Sequence, residues 1–132
     1  ACDSSVVVAG FASWHEDQAR ARKLLDREPR IAAHAALEAY SVLTRLPPPH
    51  RAPAEIVGDF LAARFRKPYL ALDSRGYRRL IEELPRQRIT GGRVYDALIA
   101  ITAAESGATL VTCDRRALVT YELCGADAEL LT

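Results

Sequence analysis

Four acidic residues stand where solvation alone does not readily explain a carboxylate. Asp3 and Asp114 each directly follow a short apolar stretch and precede a helical pattern. Glu38 lies among small and apolar residues, and Asp96 lies in a helical segment with almost no polar face. An isolated buried carboxylate is costly unless it is paired, hydrogen-bonded or bound to a cation. A hard divalent cation with oxygen ligands would offset the repulsion among such groups and activate water for attack on a phosphate.

Each of these acids also has a structural explanation. Asp3 and Asp114 stand where aspartate commonly caps a helix N-terminus, and for either one alone capping is the better interpretation. Asp96 lies in the first turn of its helix, where a carboxylate favours the helix dipole. A single glutamate in a helix, such as Glu38, is usually solvated. The four together favour a site, because all of them fall near the expected strand ends or in the opening turns of helices.

The elements that must position these acids alternate between short apolar segments and helical patterns. This alternation predicts an α/β fold with a central parallel β-sheet and helices on both faces. Strands are predicted at 1–3, 30–33, 69–72, 109–113 and 128–131. Helices are predicted at 15–27, 34–46, 53–65, 74–84, 93–106 and 114–121, whereas 6–9 is an apolar segment followed by a turn at 10–13. Ligands of open parallel sheets bind beyond the carboxyl ends of the strands, where Asp3 and Asp114 are expected.

The composition is that of an ordinary globular protein. A chain of 132 residues predicts a single domain over residues 1–132, and 49% hydrophobic with 27% charged residues argues against disorder. No apolar run approaches the ~20 residues of a membrane span. The first residues lack the basic region and long apolar core of a signal peptide. We therefore expect a cytoplasmic protein with no membrane partner, in which Cys2, Cys113 and Cys124 are reduced.

Charge is unevenly distributed along the chain. The formal net charge is +1, but residues 45–93 carry a balance of +6 and the remaining residues one of −5. Such a basic middle with acidic flanks would attract phosphates around a site that holds cations, or it simply covers solvated faces. Arg93 precedes Asp96 by three residues, and Arg115 and Arg116 directly follow Asp114. These three arginines are candidates for binding the phosphates of a nucleic-acid backbone such as RNA, with solvated surface or ion pairing as the alternative.

The acidic positions and their surroundings resemble the PIN-domain ribonuclease family, in particular the VapC-like toxins of type II toxin–antitoxin pairs. The resemblance rests on four segments that span nearly the whole chain. They are Asp3-Ser4-Ser5, HAALEAYSVLTRL around Glu38, GGRVYDALIA around Asp96, and TLVTCDRRAL around Asp114. The segments around Asp96 and Asp114 are fairly specific for the family, whereas an isolated glutamate is not.

The resemblance implies a PIN-like fold and a metal-dependent endoribonuclease that uses Mg²⁺ or Mn²⁺ to cut RNA. On this basis Asp3, Asp96 and Asp114 hold the metal, and Glu38 completes its surroundings or orients water. Ser5 and Thr112 match polar positions that accompany the metal site. The family also implies a cut that leaves a 3′-hydroxyl and a 5′-phosphate, a VapB-like antitoxin as partner, and a homodimer. Some family members carry another acid shortly after the last one, where this chain has Ala117 and Leu118.

Two other classes of function are weighed against this one. One is a catalytically weak PIN-fold module that binds RNA or another protein, against which the complete set of four acids argues. The other is a small metal-dependent phosphohydrolase or a phosphoacceptor domain with a nucleophilic aspartate. Here no D-x-D follows the first predicted strand, and no lysine follows the fourth.

Several apolar and aromatic residues have no assigned chemistry. Ile56, Val57, Phe60, Leu61 and Phe65 are expected to face the core, or in part to form a groove for the antitoxin tail. His34, four residues before Glu38, is interpreted as bordering its helix, with a metal role as the alternative. His15 and His50 are expected to be exposed and are assigned no catalytic role. The five tyrosines do not form a base-stacking motif.

Overall fold

Seven helices and two strands make up the chain, of which the computed structural model describes all residues 1–132. In chain order the helices are α1 (Ser4–Phe11), α2 (Gln18–Leu25), α3 (Ala33–Arg45), α4 (Ala54–Arg64), α5 (Ser74–Arg86), α6 (Arg93–Glu105) and α7 (Arg115–Leu123). The strands are β1 (Leu110–Thr112) and β2 (Ala128–Leu130). The predicted mixture of helices and parallel strands is therefore confirmed.

Only two of the five predicted strands form a regular ladder of the parallel sheet. Strands β1 and β2 pair in parallel, and three further segments join them through single parallel bridges. Cys2 bridges to both Ile31 and Val111, and Ala32 bridges to Leu70. The strands predicted at 1–3, 30–33 and 69–72 are thus reduced to one or two paired residues each. After Cys2 and Ala32 the reason is that a helix begins within two residues, at Ser4 and Ala33. Across the sheet the order is Leu70, Ile31–Ala32, Cys2, β1, β2.

The order in which the chain adds segments to the sheet changes side at the centre, although all segments remain parallel. From Cys2 the chain steps outward on one side to Ile31 and then Leu70, and it returns to place β1 on the other side of Cys2. The Asp3 amide donates to the Val111 carbonyl at 3.1 Å, which fixes the first segment against β1. In open α/β sheets the point where the strand order reverses leaves a crevice at the carboxyl ends of the strands. Asp3 and Asp114 stand at that crevice.

The first helix differs from the prediction. An apolar segment at 6–9 and a turn at 10–13 were expected, but α1 runs continuously over Ser4–Phe11. Three consecutive valines are β-branched and have modest helix propensity. Here Val6 and Val7 are fully buried in the core, and the Asp3 carboxylate caps the first turn. Tertiary burial and the cap therefore outweigh the local preference.

Other helix boundaries shift by a few residues. Helix α2 begins at Gln18 rather than His15, because Nδ1 of His15 accepts the Asp17 amide in a turn. Helix α5 continues to Arg86, so Pro85 does not end it as predicted. Near an exposed C-terminus the loss of one backbone bond to proline is tolerated more easily than in a helix interior. Gly107, with a φ of 70°, follows α6 as the predicted C-terminal glycine.

The core lies between the sheet and the helices on both of its sides. Helix α6 is buried from Ala97 to Ala103 apart from the half-buried Ile101, as its sequence predicted, whereas Tyr95 in its first turn is 52% exposed. Helix α4 is less buried than expected: Val57, Leu61 and Phe65 are in the core, Phe60 is half-buried, and Ile56 is 54% exposed. The prediction that Ile56 faces the core is therefore wrong. None of the helices has the length and apolar character needed to cross a membrane.

Candidate active site

Asp3 is the most buried of the four acids, with 2% of its surface exposed. Its Oδ1 atom accepts the Ser5 amide at 3.0 Å, the Ser5 hydroxyl at 2.5 Å and the Val6 amide at 3.3 Å. Its Oδ2 atom accepts the hydroxyl of Tyr121 at 2.8 Å. Burial raises the pKa of Asp3, and the hydroxyl and amide donors oppose that rise. The carboxylate is held by donors on both oxygens in one fixed orientation.

A chain of polar contacts links Asp3 to Asp114. The Ser5 hydroxyl accepts the Cys113 amide at 2.8 Å and lies 3.2 Å from the hydroxyl of Thr112. The Thr112 hydroxyl in turn accepts the Asp114 amide at 2.9 Å. Ser5 and Thr112 therefore join the start of α1 to the end of β1, and they fix the distance between the two segments that carry the acids.

Asp114 caps α7 and faces solvent. Its Oδ1 atom accepts the amides of Arg116 at 2.8 Å and Ala117 at 3.3 Å. Both the capping interpretation and a site position therefore apply to this residue. The other carboxylate oxygen has no donor within the protein and is free to face a ligand in the crevice.

Glu38 and Asp96 reach the same crevice from the two helices beside it. Glu38, on α3, accepts the hydroxyl of Ser4 through Oε1. Asp96, in the first turn of α6, is half-buried. Burial raises the pKa of Asp96 to about 6, aided by the negative charges of Glu38, Asp114 and Asp3 in that order of effect. The other three carboxylates thus lie close enough to Asp96 to act on it electrostatically.

The chemistry of this donor set fits a hard divalent cation. Carboxylate oxygens are the ligands that Mg²⁺ and Mn²⁺ prefer, and repulsion among four of them is what such an ion relieves. Glu38, Asp96 and Asp114 each keep at least one oxygen without a protein donor. As the side chains stand, no three acidic, histidine or cysteine groups close around a single point. Enclosing an ion would require these half-buried and exposed carboxylates to turn inward.

The three candidate arginines occupy different positions around the acids. Arg93 donates through Nε to the Thr120 hydroxyl at 3.2 Å, and its charge lowers the pKa of Asp96. Arg115 lines a cavity of about 430 Å³ together with Ser4, Ser5 and Asp114. Arg116 is exposed beside Asp114 but contributes only its backbone amide to that residue.

Two residues at the site were not identified from the sequence. Tyr121 is 1% exposed and donates to Asp3 across 118 positions of the chain, and Ser4 donates to Glu38. Nothing in the local pattern around Tyr121 indicates such a distant partner. His34 stacks on Tyr95, with ring centres 4.9 Å apart and planes at 5°. It therefore borders the site rather than joining the acids.

Known proteins similar to this chain share one family. A family model described as the PIN domain matches residues 1–123. The protein named Ribonuclease VapC40 from Mycobacterium tuberculosis is 50% identical over 130 residues, which are 98% of this chain and 97% of that protein. Ribonuclease VapC27 from the same organism is 48% identical over 99 residues, which are 75% of this chain and 72% of that protein.

Proposed function

This chain belongs to the PIN domain family, and we propose from that membership that it is an endoribonuclease, the toxin of a toxin–antitoxin pair. Its relatives of near half identity are named ribonucleases. The observation that carries the proposal is the gathering of four carboxylates at the reversal point of the sheet, where burial and, after it, the charges of the other three acids raise the pKa of Asp96. Capping explains Asp3 and Asp114 singly, but it does not explain why Glu38 and Asp96 join them, because the repulsion among the four lowers stability unless a cation is bound.

The protein holds the four acids to different degrees. Asp3 is held on both oxygens, and Asp114 is held on one by the first turn of α7. We assign to Asp3, Asp96 and Asp114 the direct binding of Mg²⁺ or Mn²⁺. Glu38, anchored by Ser4, completes the site or orients water. Ser5 and Thr112 act as positioning residues, because they join the two segments that carry Asp3 and Asp114.

A divalent cation bound there supplies positive charge that polarises a phosphate oxygen and lowers the pKa of water. The protein's part is to gather the carboxylates at one crevice and to keep them ionised. Arg93 aids ionisation of Asp96, since its positive charge lowers the pKa of that residue. Arg115 lines the cavity that contains Asp114, and its guanidinium is suited to an RNA phosphate entering that cavity. We assign Arg116 a weaker contact of the same kind.

The proposal is tested by incubating the purified protein with structured RNA in the presence of Mn²⁺, Mg²⁺ or EDTA. We expect shortened RNA with either metal and none with EDTA. The fragments should carry 3′-hydroxyl and 5′-phosphate ends. Transfer of label from a phosphorylated substrate to the protein, without RNA cleavage, would instead indicate a phosphoacceptor domain.

We also propose a VapB-like antitoxin as the partner that controls this activity. Ile56 on α4 is 54% exposed, and the half-buried Phe60 follows it one helical turn later. The ring of Phe60 packs edge-to-face against that of Phe11, with the ring centres 5.3 Å apart. These residues supply an apolar surface on which an antitoxin tail could pack. The protein encoded next to this one should copurify with it and suppress its RNA cleavage. Ile56→Glu should weaken that complex, whereas Ile81→Glu, at a position on α5 that is 67% exposed, should not.

Finally, we propose that the chain forms a homodimer. Leu37 and Tyr95 are 68% and 52% exposed, and they are the chain neighbours of Glu38 and Asp96. A second copy covering this apolar surface would bring two acidic crevices close together. Light scattering should give the mass of a dimer, and Leu37→Glu should give that of a monomer.

A further inference from the structure

The turn between α1 and α2 carries an exposed aromatic cluster that none of the roles above uses. Trp14 is the single tryptophan of the chain and is 49% exposed. The His50 ring lies 4.6 Å from it at a tilt of 44°, and the His15 ring lies 5.9 Å away at 41°. Two segments far apart in sequence thus converge on one indole. Half of the indole surface nevertheless stays in contact with solvent.

This cluster adjoins the acidic crevice. His15 lines the same cavity of about 430 Å³ as Ser4, Ser5, Asp114 and Arg115. The cavity therefore reaches from Asp114, past the Arg115 guanidinium, to His15, which is the chain neighbour of Trp14 and lies beside its indole. Of the two acids in this turn, Asp17 is paired with Arg20 at 2.8 Å, whereas Glu16 is exposed to solvent, which screens its charge.

We propose that Trp14 is a stacking platform for a nucleobase of single-stranded RNA, adjacent to the phosphate that enters the acidic crevice. This inference rests on the proposed ribonuclease function. Arg115 takes the phosphate of the same or the neighbouring nucleotide, and the indole takes the flat face of its base. Stacking on an aromatic side chain tolerates any base, so the site holds the RNA in place without reading its sequence.

The chemistry of the cluster favours a nucleotide over an apolar peptide. Its three rings carry polar N–H or nitrogen edges, and a cationic side chain shares the adjoining cavity. A nucleotide combines a flat π-face with an anionic phosphate, which matches an indole beside a guanidinium. An apolar peptide would leave Arg115 without a partner.

The single tryptophan makes a direct test possible. In EDTA, where no cleavage is expected, a 12-nucleotide oligoadenylate is titrated into the wild-type protein while Trp14 emission is followed. We expect saturable quenching, because a stacked base quenches an indole. The matched probe is an abasic strand of the same length, which keeps every phosphate and removes every base. It should bind roughly 5- to 150-fold more weakly and cause little quenching, as expected for loss of stacking.

Variants separate stacking from a general effect on the surface. With fluorescently labelled oligoadenylate, Trp14→Leu should weaken binding roughly 5- to 150-fold, whereas Trp14→Phe keeps an aromatic face and should retain most of the affinity. Tyr69→Leu is the matched control, because Tyr69 is 46% exposed but precedes the third sheet segment, at the opposite edge from the carboxyl ends. It should leave affinity unchanged.

Two groups of results would overturn this inference alone. Equal quenching by the abasic strand, or unchanged affinity in Trp14→Leu while the wild type still cuts RNA, would exclude base stacking and leave the ribonuclease function intact. Quenching of Trp14 by the antitoxin but not by RNA would assign the cluster to a protein partner. A wild-type protein that neither binds nor cuts RNA would overturn the proposed function, and this inference with it.

Discussion

Asp3 shows how one side chain can be both structural and functional. Its Oδ1 caps α1 and its Oδ2 receives the Tyr121 hydroxyl from α7, so the same carboxylate ties together both ends of the chain. Capping was the better explanation of this residue from the sequence, and the cap is present. The hydroxyl of Tyr121 is the additional feature, since a simple cap does not need a second buried donor on its other oxygen.

The Tyr121–Asp3 hydrogen bond gives the first prediction. Tyr121→Phe removes the hydroxyl and keeps the packed ring. Because both partners are buried, we expect the free energy of unfolding to fall by about 1–3 kcal/mol, as measured by urea denaturation. Tyr77→Phe, at a 45% exposed position on α5, is the control and should change it by less than ~0.5 kcal/mol. Equal losses in the two variants would show that the bond to Asp3 contributes nothing special.

Asp96 gives a second prediction, which concerns pH. Burial and the three neighbouring acids raise its pKa from the ordinary 3.8 to about 6. A raised carboxyl pKa favours the folded state while the group is protonated, and that contribution is lost as pH rises through about 6. In EDTA, the melting temperature of the wild type should therefore fall more than that of Asp96→Asn between about pH 5 and about pH 7.5. The same change of melting temperature with pH in both proteins would show that the pKa of Asp96 is not raised in the folded state.

At the scale of elements, long patterns were predictable and short ones were not. Helix α6 was predicted at 93–106 and is observed at Arg93–Glu105. Its bounds were predictable because a long apolar sequence followed by Gly107 is typical of a buried helix that ends at a glycine. Helix α1 was missed because Val6-Val7-Val8 is β-branched, and only burial against the rest of the molecule makes it helical. The four acids could be proposed from their positions after strands and in helices. The contact of Tyr121 with Asp3 could not, since it depends on how α7 packs beside α1.

Two helix caps provide a matched pair for the third prediction. Asp73 caps α5 by accepting the Gly76 amide at 2.7 Å, and Asp114 caps α7 in the same way. Asparagine caps helices as well as aspartate does, so Asp73→Asn and Asp114→Asn should each change stability by less than ~0.5 kcal/mol. Only Asp114→Asn should lose RNA cleavage, by about 100-fold or more, because it removes a charge from the site. Comparable cleavage by both variants would reduce Asp114 to a cap.

At the scale of the whole molecule, charge and packing have separate roles. Cys124 packs against both hydrophobic clusters of the core, as expected if residues 1–132 form the single domain that we propose. The positive balance of residues 45–93 is spread over α4, α5 and the loops around them, whereas Arg115 lies in the crevice itself. Local position, rather than total charge, is therefore expected to decide which arginines bind RNA.

The fourth prediction is that Arg115 binds RNA phosphate, and it is tested by the salt dependence of RNA binding. Arg115→Glu should weaken binding of single-stranded RNA and reduce the slope of log affinity against log salt by about 0.7 for each phosphate that the protein no longer neutralises. Arg86→Glu changes an exposed arginine of α5 that is paired with Glu83, and it should have little effect. The reverse result, with only Arg86→Glu affecting binding, would move the RNA path to the basic segment at 64–88.

The central claim is that Asp3, Glu38, Asp96 and Asp114 act as one cation-binding site for RNA cleavage. It is tested most directly by the single-turnover rate of RNA cleavage in Mn²⁺, measured for the wild type, Asp96→Asn and Asp59→Asn. Asp59 is exposed on α4, so its variant controls for the same chemical change outside the crevice. We predict a wild-type rate for Asp59→Asn and a rate reduced about 100-fold or more for Asp96→Asn. Wild-type cleavage by Asp96→Asn, or cleavage that persists in EDTA, would contradict the claim.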